Sequence, residues 1–343
     1  MGSVHRSVVK LLVVVAGLAF GSSRIASADE MRVATLAPPG SPWMEVLEKA
    51  SAEIAEKTDK RVTIKYYPGG QQGDERDFIR KIGLGQLDGA AVTSIGLSMI
   101  EPSIRVLELP MLFKTQEEVD YVAGKMWPYF QKKFEAKGYR LAERGEIGWI
   151  YFFSNSKVTS LAELRKLKLP TLGDDPMSSA FIDKLKLNGV PLSIPEIDPA
   201  LTSGKINACM SSPLGAIALQ WYTKVKYMGS TPMVFAIGAT VTSLEAVKKV
   251  SAEDRKIIEA IAKRSQQKAR TVIRKANEDS RTTLVRKGIT VVDVPQSMVD
   301  ELTAVAAEVQ SEMTGKLFSK EELETVIKYR DEYRAKHAKS AAK

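Results

Sequence analysis

The order of strand-like and helical segments constrains the fold of this chain more than any other feature of its sequence. Met31–Ala37, Val62–Tyr66 and Asp88–Ser94 have the composition or alternation of β-strands. Between them, the segment that starts at Pro42 and the segment Asp74–Gln86 have helical patterns. Strands that alternate with helices form parallel sheets with crossover helices. The sequence therefore predicts an α/β fold.

The second half of the chain repeats this order and then changes character. We expect strands at Leu167–Leu172, Val190–Ile194, Ile206–Met210, Phe235–Thr242 and Ile289–Val294, and helices at Gln116–Ala136, Pro176–Leu187, Pro199–Gly204 and Ser297–Leu317. Between Ser251 and Lys287 there is no Pro or Gly, and Gly288 ends the run. This segment predicts one long helix or two helices in line, well above the mean length of about 11–12 residues.

The N-terminus has the three parts of a secretory signal peptide. Arg6 and Lys10 provide positive charge, Leu11–Phe20 is an apolar run, and Ile25–Ala28 provides an A-x-A cleavage site. The apolar run is shorter than the roughly 20 residues that a spanning helix requires, which argues against a retained anchor. There is no cysteine near the cut for lipid attachment. We expect cleavage after Ala28 and export to the periplasm.

The scarcity of histidine and cysteine excludes several kinds of chemistry. The chain has two histidines and one cysteine. His5 leaves with the predicted signal, and His337 lies in the C-terminal tail, so the folded body lacks a histidine for a triad or a zinc site. We find no G-x-S-x-G, P-loop or dinucleotide-binding motif. We therefore expect no enzyme activity, cofactor or metal, and we interpret Cys209 as a small buried residue.

The charge of the chain does not indicate nucleic-acid binding. Removing Arg6, Lys10 and Arg24 from the 50 basic residues leaves 47 against 41 acidic ones, so the net charge falls from +9 to +6. The basic residues alternate with acidic ones along predicted helices, and no basic stripe with interleaved aromatics is present. We interpret this pattern as an ordinary solvated surface.

Four segments in the same order resemble the solute-binding subunits of tripartite ATP-independent periplasmic (TRAP) transporters. These segments are YPGGQQGDERDFIRKIGLGQLDGA (Tyr67–Ala90), LELPMLFKTQEEV (Leu107–Val119), SLAELRKLKLP (Ser160–Pro170) and PEIDPALTSGKINACMSSP (Pro195–Pro213). The resemblance extends over the whole mature chain. It implies a protein that captures a small solute and delivers it to membrane permease subunits.

The resemblance also implies a two-lobed α/β periplasmic binding protein fold with a central cleft, crossing strands and a long linking helix. We predict a signal peptide over 1–28, a first lobe over 29–153, a second lobe over 154–240, the linking helix over 241–287, a C-terminal strand and helices over 288–335, and a disordered basic tail over 336–343.

The chain departs from the family at the positions that hold charged ligands. Members usually bind a carboxylate through an arginine that forms two parallel hydrogen bonds with it, and Pro170 occupies that position here. Ile150 replaces a second arginine, Thr93 replaces an acidic contact, and Ser211 replaces an asparagine. We therefore expect an apolar cleft that binds a hydrophobic or amphipathic ligand such as a fatty acid, a lipid or a steroid-like molecule. We predict that the ligand-binding residues are Leu36, Trp43, Thr93, Trp149, Tyr151, Phe153, Pro170, Leu172, Ile194, Met210 and Ser211.

Other interpretations remain open from the sequence. Core packing is the alternative for the aromatic residues and for Met210. The ligand could instead be an ordinary organic acid held by another cation such as Lys168. Loss of the arginine resembles the TRAP subgroup that works with a tetratricopeptide-repeat partner protein. The remaining alternatives are a periplasmic lipid carrier that needs no permease, and a hydrolase that uses two acids.

Replacing Pro170 by arginine tests the apolar cleft. We expect Pro170→Arg to weaken binding of a hydrophobic ligand, because it places a poorly paired charge in the cleft at a cost of about 1–3 kcal/mol or more. A titration of the purified variant with the natural ligand measures the change. Unchanged affinity would show that residue 170 does not line the site.

Overall fold

The computed structural model describes residues 29–172 and 175–341. Within them the strands are β1 Asp29–Thr35, β2 Val62–Tyr67, β3 Gly89–Thr93, β4 Tyr139–Leu141, β5 Gly145–Ser154, β6 Lys168–Leu172, β7 Asn188–Leu192, β8 Ala208–Ser211, β9 Tyr227–Gly229, β10 Val234–Ser243 and β11 Thr290–Val292. The helices are α1 Pro42–Lys57, α2 Glu75–Gly83, α3 Ser94–Ile100, α4 Gln116–Ala136, α5 Leu161–Leu164, α6 Pro176–Leu185, α7 Ile197–Thr202, α8 Pro213–Ala218, α9 Leu244–Lys249, α10 Ala252–Arg286, α11 Gln296–Met313 and α12 Lys320–Ala341. Three 3₁₀ turns span Pro102–Glu108, Ile194–Glu196 and Trp221–Lys224.

Side-chain caps set several of these helix starts. The Ser41 hydroxyl accepts a hydrogen bond from the Met44 amide at 3.4 Å, and Pro42 is the first residue of α1. Asp74 and Asp77 form a reciprocal capping box at the start of α2. Ser319 and Glu322 do the same before α12, with distances of 2.7 and 3.1 Å. Each cap satisfies amide groups that have no partner inside the helix.

The main sheet is mixed, with the strand order β11-β9-β5-β10-β3-β1-β2. β1 pairs in parallel with β2 and β3, which confirms the strand–helix–strand prediction for the N-terminal part. β10 runs antiparallel to β3 and to β5. β6 and β7 form a separate parallel pair. The described part of the chain is therefore α/β, with antiparallel pairing at its centre.

Two long strands, β5 and β10, cross between the two halves of the fold. The first part of β5 pairs with β10, and its second part, Tyr151–Ser154, pairs with β8 and β9. The far part of β10, Gly238–Thr242, pairs with β3. We call the unit of β1–β3 with α1–α4 the first lobe, and the unit of β6–β9 with α5–α8 the second lobe. The residue bounds predicted for the lobes stay a prediction.

The long helix α10 packs against both lobes. It has 35 residues and contacts α1 in the first lobe, α8 in the second and the crossing strand β5. At about 1.5 Å per residue it is roughly 50 Å long. Near its start, Arg61 and Asp254 form an ion pair at 2.7 Å. The helix therefore connects the two lobes in addition to the crossing strands.

Two sequence predictions about the C-terminal part need correction. The linking helix begins at Ala252 rather than at 241, because β10 extends to Ser243 and the short helix α9 follows it. The tail predicted as disordered over 336–343 is helical as far as Ala341. Its side chains explain this, since Lys336 donates to the Tyr121 hydroxyl at 3.1 Å and the His337 ring stacks on Tyr333. The predicted signal peptide lies outside the described residues.

Asn277 on α10 links one crossing strand to the second lobe. Its side-chain amide donates to the carbonyl of Ile147 on β5 at 3.0 Å and to Ile273 at 3.1 Å. Its Oδ1 atom accepts from the Leu214 amide of α8 at 3.1 Å. Gly148, at a positive φ of 110°, leaves room for this side chain, because a Cβ there would lie 2.7 Å from the Asn277 Nδ2 atom.

We predict that Asn277→Ala lowers the free energy of unfolding by about 1–3 kcal/mol, because it leaves half-buried backbone groups without partners. Urea denaturation followed by circular dichroism measures the effect. Thr282→Ala, on an exposed position of the same helix, is the matched control and is expected to change stability by about 0.5 kcal/mol or less. Equal losses in both variants would contradict the linking role of Asn277.

Candidate functional site

A cleft of about 360 Å³ lies between the two lobes. Its walls come from the segments that follow the carboxyl ends of β1, β3, β6 and β8, and from the crossing strands. α10 contributes Gln266, Ala269 and Ile273, which recur at helical spacing. The crevice beyond the carboxyl ends of parallel strands is where ligands bind in open α/β sheets. This cleft is therefore the candidate binding site.

The first-lobe wall consists largely of apolar side chains that are only half-buried. Trp43, Val46 and Leu47 share one face of α1 and line the cleft, as does Leu36 after β1. The indole Nε1 atom of Trp43 donates to the Glu146 carbonyl at 3.0 Å, so its polar group is already satisfied. Half-buried apolar side chains on a concave surface gain free energy when an apolar ligand covers them.

The second-lobe wall contains the positions at which the sequence departs from the TRAP pattern. Pro170 is buried at the cleft, and Leu172, Ile194 and Met210 line it half-buried. Ser211 lies at the end of β8 and also lines the cleft. Ile150 of β5 lines it as well. The structure thus brings together the four replaced positions, Thr93, Ile150, Pro170 and Ser211, around one cavity.

Three predicted site residues do not line the cleft, which corrects the sequence analysis. Trp149, Tyr151 and Phe153 alternate on β5 and share the opposite face of that strand. Trp149 packs edge-to-face on Phe235 with ring centroids 5.1 Å apart, and Phe153 is fully buried. The Tyr151 hydroxyl accepts from Arg281 of α10 at 3.4 Å. These aromatic residues form core between β5 and its neighbours, which was the alternative left open.

Lys168 does not line the cleft either. It is the first residue of β6, and its side chain is exposed. Pro170 lies two residues further along the strand, on the cleft. An acid bound in the cleft therefore has no Lys168 ammonium beside it in this structure, which removes the support for that alternative.

Thr93 is tied to a buried carboxylate. The Thr93 amide and hydroxyl donate to Glu75 at 2.6 and 2.8 Å, and the Gly96 amide donates to it at 2.8 Å. Burial raises the pKa of Glu75, while the hydrogen bonds from Thr93 and Gly96 oppose that rise. The Thr93 hydroxyl also accepts from the Ile95 amide at 3.2 Å. The polar groups at this end of the cleft are therefore already paired with one another.

A buried ion cluster, which the sequence analysis missed, also lines the cleft. Arg105 forms an ion pair with Glu108 at 2.7 Å and a second with Asp175 at 2.9 Å. Ser94 hydrogen-bonds to both Arg105 and Glu108, and Glu108 also accepts from the Ile237 amide. Burial raises the pKa of Glu108, and Arg105 opposes that rise. A sequence signal existed, since Arg105 and Glu108 stand three residues apart in the otherwise apolar stretch Ile104–Leu109.

Arg105 is the only cationic side chain among the described residues that line the cleft. Two carboxylates of the chain already neutralise it. Glu146 also lines the cleft, but its side chain pairs with Arg144 at 3.1 Å and with Arg274 at 2.6 Å. The part of the lining that the structure describes therefore offers no spare positive charge to an anion.

The described residues contain no group of histidine, cysteine, aspartate and glutamate side chains that could hold a metal ion. No helix in the described part of the chain is long and apolar enough to cross a membrane.

Comparison with known proteins identifies the family and the fold. Residues 33–316 match the family described as bacterial extracellular solute-binding protein, family 7 (DctP). A solute-binding protein from Chromohalobacter salexigens is 24% identical over 302 residues, covering 85% of this chain and 86% of that protein.

Two solved structures have the same fold over nearly their whole length. The sugar acid binding protein DctPAm from Advenella mimigardefordensis, in complex with galactonate, has a TM-score of 0.83 at 18% identity and covers 88% of this chain and 98% of its own. A TRAP periplasmic solute-binding protein from Desulfovibrio salexigens, with bound orotic acid, has a TM-score of 0.81 at 16% identity and covers 90% of this chain and 99% of its own.

We predict that Cys209 is inert in the native protein although it precedes the cleft residues Met210 and Ser211. It is fully buried, and burial raises the pKa of its thiol to about 12. At pH 8 the thiolate fraction is therefore on the order of 10⁻⁴. Titration with Ellman's reagent is expected to show no reaction in the native state and one equivalent after unfolding in guanidinium. Rapid native reaction would mean that β8 opens to solvent.

Proposed function

Because this chain belongs to the bacterial extracellular solute-binding protein family 7, we propose that it captures a hydrophobic or amphipathic solute and delivers it to TRAP-type membrane permease subunits. The family assignment makes the chain a solute-binding component of a transporter. It favours transport over the hydrolase and the permease-independent carrier. The ligand class is our proposal, as are export through a signal peptide cleaved after Ala28 and a tetratricopeptide-repeat partner.

The observation that carries the ligand proposal is the charge balance of the cleft. Pro170 and Ile150 stand where the resemblance places arginines, and both line the cavity. Arg105, the one cation among the described lining residues, is already paired with Glu108 and Asp175. A ligand carboxylate brought into this cleft would lose its hydration without gaining a free partner, which is costly. Apolar ligand surface instead gains about 25 cal/mol per Å² buried.

An organic acid is the second candidate ligand class, because solved neighbours of the same fold were crystallised with galactonate and orotic acid. Such a ligand would need Arg105 as its cation, since Lys168 is exposed and lies off the cleft. It would then have to displace Asp175 from the guanidinium. This requirement makes the two candidates separable by experiment.

The first experiment is native mass spectrometry of the purified mature protein, followed by solvent extraction and identification of bound molecules. We expect a lipid-like molecule at about one per chain. Thermal shift assays with galactonate and orotate provide the comparison. An empty protein that is stabilised only by these acids would contradict the hydrophobic ligand and leave the transport role standing.

A charged substitution on the cleft face of α1 tests whether the extracted molecule occupies the cleft. Val46→Asp is expected to weaken its binding at least about tenfold, or about 1.4 kcal/mol, because a carboxylate would face the apolar ligand. Ala52→Asp, on an exposed position of the same helix away from the cleft, is the matched control. Equal affinities for both variants would place the ligand elsewhere.

A further inference from the structure

Five strands, β6 to β9 of the second lobe and β11 beside them, begin at the same edge of the structure. β11 pairs in parallel with β9, and β6 with β7. β8 and β9 both pair antiparallel with the end of β5, so they run in the same direction. Hydrogen bonds of 2.8 and 3.1 Å between Lys168 and Asn207 align the start of β6 with the start of β8. Both strands end at the cleft, where Leu172 and Ser211 line it, so the shared starting edge lies at the opposite end of the strands.

This starting edge carries a row of basic residues that are far apart in sequence. Each of the five strands has one to three cations at its first residue or within four residues before it, and Lys157 follows the end of β5 at the same edge. Nine of these ten residues are exposed, and Lys224 is half-buried. We call them the basic edge: Arg286 and Lys287 before β11, Lys224 and Lys226 before β9, Lys157 after β5, Lys205 before β8, Arg165, Lys166 and Lys168 at β6, and Lys186 before β7.

None of the ten residues of the basic edge forms an ion pair within the part of the chain that the structure describes. Arg165 donates to a backbone carbonyl at 2.9 Å, and Arg286 donates to the Thr283 hydroxyl at 3.0 Å, so both use uncharged acceptors. The carboxylate of Glu163, in the same lobe, accepts instead from the amide and the hydroxyl of Thr159. The positive charge of the edge is therefore not neutralised by close contacts of the described chain.

The basic edge accounts for the whole net charge of the chain after residue 28. Residues 29–343 contain 47 basic and 41 acidic residues, a net charge of +6. When four carboxylates of the second lobe are counted with the ten cations, those of Glu163, Asp183, Glu196 and Asp198, the edge still carries +6. The other 37 basic and 37 acidic residues cancel. The sequence pattern indicated an ordinary solvated surface because six separate segments contribute only one to three cations each.

The width and the composition of the basic edge fit an extended anionic surface better than a single acidic group. Six adjacent strands spaced by about 4.8 Å give it a width of roughly 24 Å. Eight of its ten cations are lysines. Lysines are flexible point charges that can follow mobile headgroup phosphates, whereas fixed recognition of a carboxylate uses the planar fork of arginine. The attraction of an anionic lipid surface adds over all the Lys and Arg residues that come near it.

We propose that the basic edge binds the surface of a membrane that contains anionic phospholipids, with the second lobe toward the lipid. The headgroup phosphates supply the countercharge that the chain itself does not supply. The bound surface and the cleft lie at opposite ends of β6 and β8, so the edge can contact lipid while the cleft holds a solute. This inference goes beyond the proposed function and does not depend on which solute the cleft binds.

Sedimentation with phospholipid vesicles tests the proposal on residues 29–343 without substitutions. The vesicles contain phosphatidylcholine alone or equal amounts of phosphatidylcholine and phosphatidylglycerol, in about 0.1 M NaCl. We expect a partition coefficient at least about tenfold higher for the anionic vesicles. This difference should disappear in about 1 M NaCl, where the Debye length falls to about 3 Å. Equal binding to both kinds of vesicle, or binding to neither, would overturn the proposal.

Charge reversal at the basic edge tests where the vesicles bind. Lys166→Glu, Lys168→Glu and Lys205→Glu are combined in one variant, because all three residues are exposed and come from two segments that meet at the starts of β6 and β8. We expect this edge variant to bind the anionic vesicles at least about tenfold more weakly than the unaltered protein, since each reversal replaces attraction by repulsion.

The matched control makes the same change of net charge elsewhere on the surface. It combines Lys256→Glu, Lys263→Glu and Lys268→Glu, three exposed residues of α10 that form no ion pair among the described residues. We expect it to lose less than about threefold in binding to the anionic vesicles. Equal losses in the edge variant and the control would assign the binding to net charge and contradict the role of the basic edge.

Soluble poly-L-glutamate distinguishes a lipid surface from an acidic segment of a partner protein. If the unaltered protein binds poly-L-glutamate through the basic edge but does not bind the anionic vesicles, the edge is a docking surface for an acidic protein and the membrane proposal is wrong. Circular dichroism establishes whether the edge variant is folded, and if it is not, the vesicle comparison in the unaltered protein decides. Failure of vesicle binding leaves the proposed function standing, because native mass spectrometry tests the cleft separately.

Discussion

The antiparallel pairing of β5 with β10 is the interaction on which the rest of the structure depends. Each of the two strands also has other partners in the sheet. β5 pairs with β8 and β9, and β10 pairs with β3 and β4. The paired strands therefore join the sheet of the first lobe to the strands of the second. The pairing is irregular near Gly148, where the register shifts between Ala236 and Ile237. An irregularity of this kind bends a strand, and it lies where the strands line the ligand cavity.

Local sequence signals predicted individual elements better than their arrangement. The helix over Gln116–Ala136 has the predicted bounds, and Pro42 begins α1 as expected, because caps and apolar spacing act over a few residues. The antiparallel placement of β10 depends on partners far away in sequence, such as Ala90. The helical tail likewise depends on Tyr121 of α4, which no local pattern near Lys336 reveals. These features were inaccessible because tertiary contacts decide them.

The candidate site shows the same division between local and long-range information. The resemblance predicted that Thr93, Pro170 and Ser211 line one cavity, because equivalent positions of a motif lie at equivalent places in a shared fold. For the aromatic residues of β5, period-2 alternation showed which side chains share a face, but not which face is the cleft. Arg105 and Asp175 are 70 residues apart and meet only through the fold. Their pairing could not be read from a single sequence, although the charge of Arg105 in an apolar stretch was visible.

The Arg105–Asp175 ion pair also sets the electrostatics of the cleft. In a site that uses a free arginine, the ligand carboxylate supplies the countercharge, so the ligand completes the electrostatics. Here Asp175 of the second lobe supplies it to Arg105 of the first lobe at 2.9 Å. The guanidinium therefore has its countercharge from the chain itself, and an uncharged ligand would contribute the apolar surface it buries and the hydrogen bonds it makes. The affinity for such a ligand would depend strongly on the apolar area it buries and little on ionic strength. Leu36, Trp43 and Ile194 provide apolar surface of this kind in the cleft.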